Sequence, residues 1–303
     1  MSPGERDTMT RRTGLLAALA LLGVTAMWGS TFFLIRDLLE RVPTLDFLAV
    51  RFAIASVALL LVAPRAVARL SPASRRSAVV LGLLYGVAQI LQTAGLTHTP
   101  ASVSGFITGM YVVLTPVFAA ALLRARITVL TWGAVLLATS GLAVLTLNGL
   151  SIGYGEALTL VAAMLYALHI VGLGAWSTPH EALGMSIVQI VVITLVCLAA
   201  TAPDGIVLPA TPQDWLSVVY MALFAGALGL VGQTWAQAHL APTRSAIIMS
   251  MEPVFAAFFA VLLGGESFTL RMLCGGLMVL AAMLVVELAP RRKVEAEVQH
   301  LAV

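Results

Sequence analysis

Charged side chains are scarce in this sequence. Asp, Glu, Lys and Arg make up 10% of the 303 residues and hydrophobic residues 60%, whereas an ordinary soluble domain is about a quarter charged. Cysteine is also rare: Cys197 and Cys274 both lie in hydrophobic runs, where we expect them to pack as small apolar residues without forming a disulfide. The composition therefore argues against a soluble or disulfide-rich domain and indicates a membrane protein.

The sequence also lacks the motifs of enzymes that act in membranes. It contains no His-Glu-x-x-His zinc signature, and no hydrophobic run holds an aspartate at depth. It has no G-x-x-x-x-G-K-[ST] motif, which argues against direct use of ATP. We therefore predict no enzymatic activity, no cofactor and no metal site. We do not interpret the net charge of +3 as a sign of nucleic-acid binding, because the arginines that produce it indicate how the chain is oriented in the membrane.

Ten hydrophobic runs are long enough to cross a bilayer, whose hydrocarbon core is about 30 Å thick. They span residues 14–34, 44–63, 78–97, 101–123, 127–147, 155–175, 183–202, 215–237, 243–263 and 268–289. The first run exceeds the roughly 7–15 apolar residues of a signal peptide, so we expect it to remain in the protein. The gaps between the runs are short and leave no room for a soluble domain.

The arginines predict the orientation of these runs. With the N-terminus inside, thirteen Lys and Arg residues fall in the tails and inner loops, and three fall outside: Arg36, Arg41 and Arg271. Cytoplasmic loops carry this kind of excess. We therefore predict an inner-membrane protein with cytoplasmic tails, residues 1–13 and 290–303. Arg51 lies inside the second run. We expect its side chain to reach towards the headgroups or to pair with Asp46, and we favour either of these over a role in binding substrate.

The hydrophobic runs contain two related halves, residues 14–147 and 155–289. Several polar positions recur 141 residues apart: Gln92-Thr93 with Gln233-Thr234, His98 with His239, and Ser104 with Ser245. The string that begins at Pro116 recurs at Pro253, 137 residues later, which predicts about one extra helical turn in the first half. Because each half has five runs, the halves should enter the membrane from opposite sides. Such inverted repeats are typical of transporters, with the substrate site where the halves meet.

A few polar and aromatic side chains lie deep in these runs, where polar groups are costly. Glu252 is near the middle of the ninth run; it is predicted either to line the substrate path and handle a proton, or to hold neighbouring helices together. Gln92 and Gln233 match across the halves, so their helix faces are predicted to meet at a central cavity, with interhelical hydrogen bonding as the alternative. The substrate-path candidates are Trp28, Gln89, Gln92, Tyr111, Tyr166, His169, Gln189, Gln233, Gln237 and Glu252.

Four strings in the hydrophobic runs carry a resemblance to a known family. They are AMWGSTFFLIRD in the first run, LAVRFAIA in the second, GFITGMYVVLTPVFAA in the fourth and SMEPVFAAFFAVLLGGE in the ninth. Together they resemble the EamA-type transporters of the drug/metabolite transporter superfamily, over nearly the whole chain. The resemblance implies ten helices in two inverted five-helix repeats around a central cavity. In the first repeat Thr115 or Tyr111 takes the place of Glu252, so a charged group is expected in the second repeat alone.

These observations predict an all-α membrane protein that works as a secondary transporter by alternating access. The resemblance implies export of small metabolites, amino acids or drugs. An importer or exchanger with the same fold is the alternative. An intramembrane enzyme or a receptor-like protein is a competing hypothesis from a different functional class. The expected partners are a small-molecule substrate and the lipid bilayer.

Overall fold

The structure is a computed structural model that describes residues 3–99, 101–146, 153–201, 205–263 and 267–288. Within these ranges it contains helices, turns and loops and no β-strand. The helices are α1 (Pro3–Gly29), α2 (Phe32–Leu39), α3 (Thr44–Val62), α4 (Pro72–Leu96), α5 (Ala101–Gly109), α6 (Tyr111–Leu123), α7 (Val129–Thr146), α8 (Tyr154–Trp176), α9 (Ala182–Thr201), α10 (Pro212–Tyr220), α11 (Gly229–Gln237), α12 (Pro242–Met249), α13 (Glu252–Leu262) and α14 (Leu270–Leu288). A π-helical stretch, Met221–Leu228, joins α10 to α11 without a break.

Within the described ranges, six helical segments are long and apolar enough to cross a membrane. They are Arg12–Gly29, Thr44–Val62, Pro72–Leu96, Tyr154–Trp176, Ala182–Thr201 and Pro212–Gln237. Three shorter apolar segments accompany them: Val129–Val144, Leu270–Val286 and Ile107–Leu123, the last of which contains the end of α5 and the whole of α6. Large apolar side chains such as Leu61, Val129 and Leu136 are exposed on the outer surface, as expected where a helix faces lipid. The prediction of an all-helical membrane protein is confirmed, and the number of ten crossings stays a prediction.

Three predicted runs are each divided into two helices. The run 14–34 breaks after Gly29, the run 101–123 at Met110, and the run 243–263 at Ser250 and Met251. The apolar runs gave no sign of these breaks, because hydrophobicity reports burial in lipid and not a local change of backbone direction. At the last break Pro253 stands in the first turn of α13, where a proline is tolerated since its missing N–H has no helical partner.

Corresponding helices of the two halves begin at a constant spacing. Helices α5 and α12 begin at residues 101 and 242, α6 and α13 at 111 and 252, and α7 and α14 at 129 and 270, each 141 residues apart. The extra helical turn predicted for the first half is therefore absent. Pro116 lies inside α6, whereas Pro253 lies at the start of α13. By helix position, Tyr111 is the counterpart of Glu252.

The two halves pack against each other along their length. Helix α4 packs on α8, α3 on α9, and α7 on α14. At the crossing of α4 and α8 the backbones touch: a Cβ on Gly95 would lie 2.8 Å from the Gly155 carbonyl oxygen and 2.4 Å from Thr159 Oγ1. Small residues allow such close approach between membrane helices. The buried core therefore lies between the halves and surrounds the site described next.

Candidate functional site

A cavity lies between the two halves of the protein. It encloses about 850 Å³ of space free of protein atoms, including the part that opens to solvent. Its walls come from α1 to α6 of the first half and from α8, α11, α12 and α13 of the second. Of the described residues that line it, Arg51 and Glu252 carry formal charges. Among the described residues, no group of three His, Cys, Asp or Glu side chains is placed to hold a metal ion.

The cavity brings together most of the side chains that the sequence singled out. Eight of the ten candidates line it: Trp28, Gln89, Gln92, Tyr111, Tyr166, His169, Gln233 and Glu252. Gln189 and Gln237 do not, although both are fully buried. Gln189 pairs with His169 at 2.8 Å, and Gln237 donates to the Ile170 carbonyl at 3.1 Å. Their place on the substrate path stays a prediction, and their hydrogen bonds could not be foreseen because helical spacing does not reveal which neighbouring polar group binds an amide.

The glutamines of α4 are tied to the second half by a directed set of hydrogen bonds. Tyr166 Oη accepts from Gln89 Nε2 at 2.7 Å and donates to Gln92 Oε1 at 2.7 Å. Gln92 Nε2 then donates to Thr108 Oγ1 at 3.0 Å. One phenol thus links α8 to two positions of α4, and Gln92 links α4 to α5. These amides line the cavity and also hold the helices together.

Aromatic rings form one wall of the cavity. The Tyr85 ring lies 5.5 Å from the Tyr166 ring and 5.0 Å from the His169 ring, centroid to centroid. His169 Nε2 lies 2.8 Å from Gln189 Oε1. Because an amide oxygen can only accept, Nε2 must carry the hydrogen. This bond holds the imidazole in one orientation against Tyr85.

The broken helices place Tyr111 and Glu252 at the cavity. Tyr111 is the first residue of α6, and its Oη donates to the Met249 carbonyl at 2.7 Å. Met249 is the last residue of α12, just before the break that separates α12 from α13. Glu252 is the first residue of α13, and its side chain has no hydrogen-bond or ion-pair partner among the described residues. The free N–H groups of a helix N-terminus favour a negative charge there.

The end of α1 brings a third element to the same place. A Cβ on Gly29 would lie 2.6 Å from Phe255 Cβ and 2.9 Å from the Glu252 carbonyl oxygen, so the two backbones are in contact. The neighbouring Trp28 donates from Nε1 to the Ala225 carbonyl at 2.9 Å. Ala225 belongs to the π-helical stretch, and such stretches occur often at functional sites. The Trp-Gly-Ser string thus joins α1 to both α13 and the π-helical stretch.

Arg51 is the residue whose position sequence reasoning missed. It is 5% exposed and lines the cavity, so it does not extend to the headgroups. Asp46 does not pair with it; its carboxylate accepts from the Thr201 hydroxyl and from the Val207 N–H. The depth of Arg51 in a hydrophobic run was the available signal, because ionisable groups within membrane helices almost always face the interior of the bundle.

The fold and the cavity together define a class: a helical membrane protein of two interlocked halves with a polar cavity between them. More particularly, the chain belongs to the EamA-like transporter family, whose model matches residues 15–147 and 153–288. The resemblance read from the sequence is thereby confirmed, and the protein is a membrane transporter.

Relatives and a solved structure agree with this assignment. The chain is 28% identical to an "Uncharacterized transporter" of Archaeoglobus fulgidus over 279 residues, covering 90% of this chain and 86% of the relative. It is 25% identical to the "Uncharacterized inner membrane transporter YedA" of Escherichia coli K12 over 274 residues, covering 88% and 89%. A protein of known crystal structure superposes with a TM-score of 0.75 at 17% identity, covering 91% of this chain and 98% of its own. That likeness concerns the fold.

Proposed function

We propose that the protein is a secondary transporter that exports a small solute from the cytoplasm by alternating access. The observation that carries the proposal is the cavity between the halves, lined at corresponding positions by Gln92 and Gln233 and by Tyr111 and Glu252. Two inverted halves can exchange conformations around such a site, and each exchange opens it to the other side of the membrane. An importer or exchanger would use the same cavity, and the direction of flux distinguishes them.

The proposed topology has ten crossings with both termini in the cytoplasm. Contacts between loops support it, since they join segments that the arginine count places on one side. Arg41 pairs with Asp214 at 2.7 Å, both predicted to be outside. Glu181 accepts from the Ser71 N–H at 3.0 Å and from the Ser74 hydroxyl at 2.7 Å, all predicted to be inside.

Reporter fusions test this topology. Fusions after Leu147 and Pro203 should report an extracytoplasmic position, and fusions after Arg76 and Arg292 a cytoplasmic one. A cytoplasmic signal after Leu147 would overturn the arrangement of five crossings in each half, and with it the inverted repeat.

Accessibility of the cavity is tested by placing a cysteine at Gln92 or Gln233. The background must lack the native cysteines, because Cys274 is exposed. We expect both new thiols to react with a small membrane-permeable reagent and bound substrate to slow the reaction. Leu136→Cys, on the exposed apolar surface, is the control whose rate should not respond to substrate. Inert thiols at both glutamine positions would place the solute path elsewhere.

We further propose that Glu252 handles the proton that couples transport to a pH gradient. A carboxyl group in a desolvated cavity is suited to proton exchange, and this one has no partner among the described residues. Glu252→Gln keeps the shape of the side chain but cannot release a proton. The variant should therefore fold normally and lose the dependence of flux on the imposed gradient.

The assay needs the exported solute, which comparison of the media of cells with and without the protein will identify. Flux of that solute is then measured in proteoliposomes with and without a pH gradient. Glu40→Gln is the matched control, because Glu40 is exposed and lies outside the cavity. If Glu252→Gln retains full gradient-dependent flux, this carboxylate does not carry the proton and is a binding or packing group.

A further inference from the structure

Arg51 is a buried cation whose charge is not balanced by any acidic side chain that the structure describes. Its Nε has no hydrogen-bond partner among the described residues. It does not pair with Glu252, the other charged residue of the cavity wall, or with Asp46, whose oxygens bind Thr201 and Val207. A charge taken out of water is costly unless it is paired. The positive charge of Arg51 therefore has no negative partner at this point of the cavity among the described residues.

The guanidinium is held in place by aromatic rings and not by hydrogen bonds from its Nε. Its central carbon lies 5.2 Å from the centre of the Phe52 ring and 5.9 Å from that of the Phe47 ring. Such contacts favour a cation and orient the group, but they leave its N–H donors unused. Arg51 Nε itself is inaccessible, but the two terminal nitrogens of a planar guanidinium also form a parallel pair of donors, which matches the two oxygens of a carboxylate.

We infer that Arg51 binds an anionic group of the transported solute, and specifically a carboxylate, through its guanidinium fork. The inference rests on the proposed function, since it takes the solute to occupy this cavity. Phe47 and Tyr85, which also line the wall, offer apolar surface for the rest of the molecule. The solute class is a small carboxylate, zwitterions included, and not a purely cationic or neutral compound.

The inference is tested by thermal unfolding of the purified full-length protein in detergent with matched pairs of compounds. The carboxylates are acetate, benzoate, 3-phenylpropionate and phenylalanine, and each is compared with its own amide. Compounds are added at up to about 20 mM, because a ligand that binds the folded state raises the unfolding temperature by an amount that grows with the ratio of its concentration to its dissociation constant. At least one carboxylate should raise the unfolding temperature of the wild-type protein, and its amide should not.

Variants then assign the effect to Arg51. Arg51→Met keeps much of the side chain's length without its charge and should weaken carboxylate binding by roughly thirtyfold or more, as expected when one partner of a buried charge pair is lost. Arg51→Lys keeps the charge without the fork and should bind with intermediate affinity. Arg126→Met removes an exposed arginine outside the cavity and should bind like the wild type.

Three results would overturn the inference: no carboxylate stabilises the wild type, the amides stabilise it equally, or Arg51→Met binds as tightly as the wild type. The comparison of carboxylate with amide uses the wild-type protein, and Arg51→Lys tests the assignment to Arg51 if Arg51→Met does not fold: wild-type affinity in Arg51→Lys would then overturn the inference. Failure of the transport proposal looks different. In that case the carboxylate binds and Arg51→Met abolishes binding, but no flux occurs in proteoliposomes. Conversely, flux of a neutral or cationic solute that Arg51→Met leaves intact refutes the anion site and not transport.

Discussion

Replacing Gly29 by alanine should force α1 away from α13 at the cavity. The new Cβ would lie 2.6 Å from Phe255 Cβ and 2.8 Å from the Ala256 backbone nitrogen. A backbone atom cannot move aside as the tip of a side chain can, so the two helices must separate. Overpacking of this kind costs about 1–3 kcal/mol.

The matched control is Gly23→Ala in the same helix, because a Cβ there meets no atom within 4 Å. Because Gly29 is the last residue of α1, Gly23→Ala gains up to about 1 kcal/mol more from helix propensity, and the rest of the difference reports the clash. At roughly 2–4 °C for each kcal/mol, Gly29→Ala should unfold several degrees below Gly23→Ala when the two are heated in the same detergent.

Transport should follow the same order as stability. Trp28 and Glu252, on either side of the contact, both line the cavity, so a shift of α1 alters the cavity wall, whereas Gly23→Ala leaves it unchanged. Equal unfolding temperatures for the two variants would refute the reasoning, because they would mean that α1 and α13 are not in backbone contact at Gly29.

Three further changes test individual contacts. Tyr166→Phe removes the partner of Gln89 Nε2 and of Gln92 Oε1 and should cost about 1–3 kcal/mol. Tyr154→Phe, on an exposed ring, should cost little, and equal unfolding temperatures would count against the hydrogen-bonded set. Tyr111→Phe removes the donor to the carbonyl at the end of α12 and should also lower the unfolding temperature, and an unchanged value would mean that water replaces the phenol. Hydrogen bonds from the Ser71 N–H and from nearby hydroxyls hold the pKa of Glu181 below its usual 4.5, so its stabilising effect is present at neutral pH and lost as the pH falls through the lowered pKa. The difference in unfolding temperature between wild type and Glu181→Gln should therefore shrink in acid, and a constant difference would contradict this account.

The sequence by itself determined the class of the protein and the general location of its site. Long apolar runs and scarce charge are properties of the chain that lipid contact demands whatever the packing. The recurrence of Gln92 as Gln233 showed the two halves and selected helix faces that line the cavity. These features are readable because each depends on residue type and spacing along one helix.

The tertiary structure decided the rest, because it depends on which atoms of other helices come near. Hydrophobicity did not reveal the break before Glu252, and sequence matching alone left Tyr111 and Thr115 as equal counterparts of that residue. The orientation of Arg51 into the cavity depends on how α3 is rotated against its neighbours. The Gln189 side chain forms a hydrogen bond with His169 on another helix and does not line the cavity. A polar side chain in a membrane protein binds the partner that packing supplies, and packing is settled between helices, not along one of them.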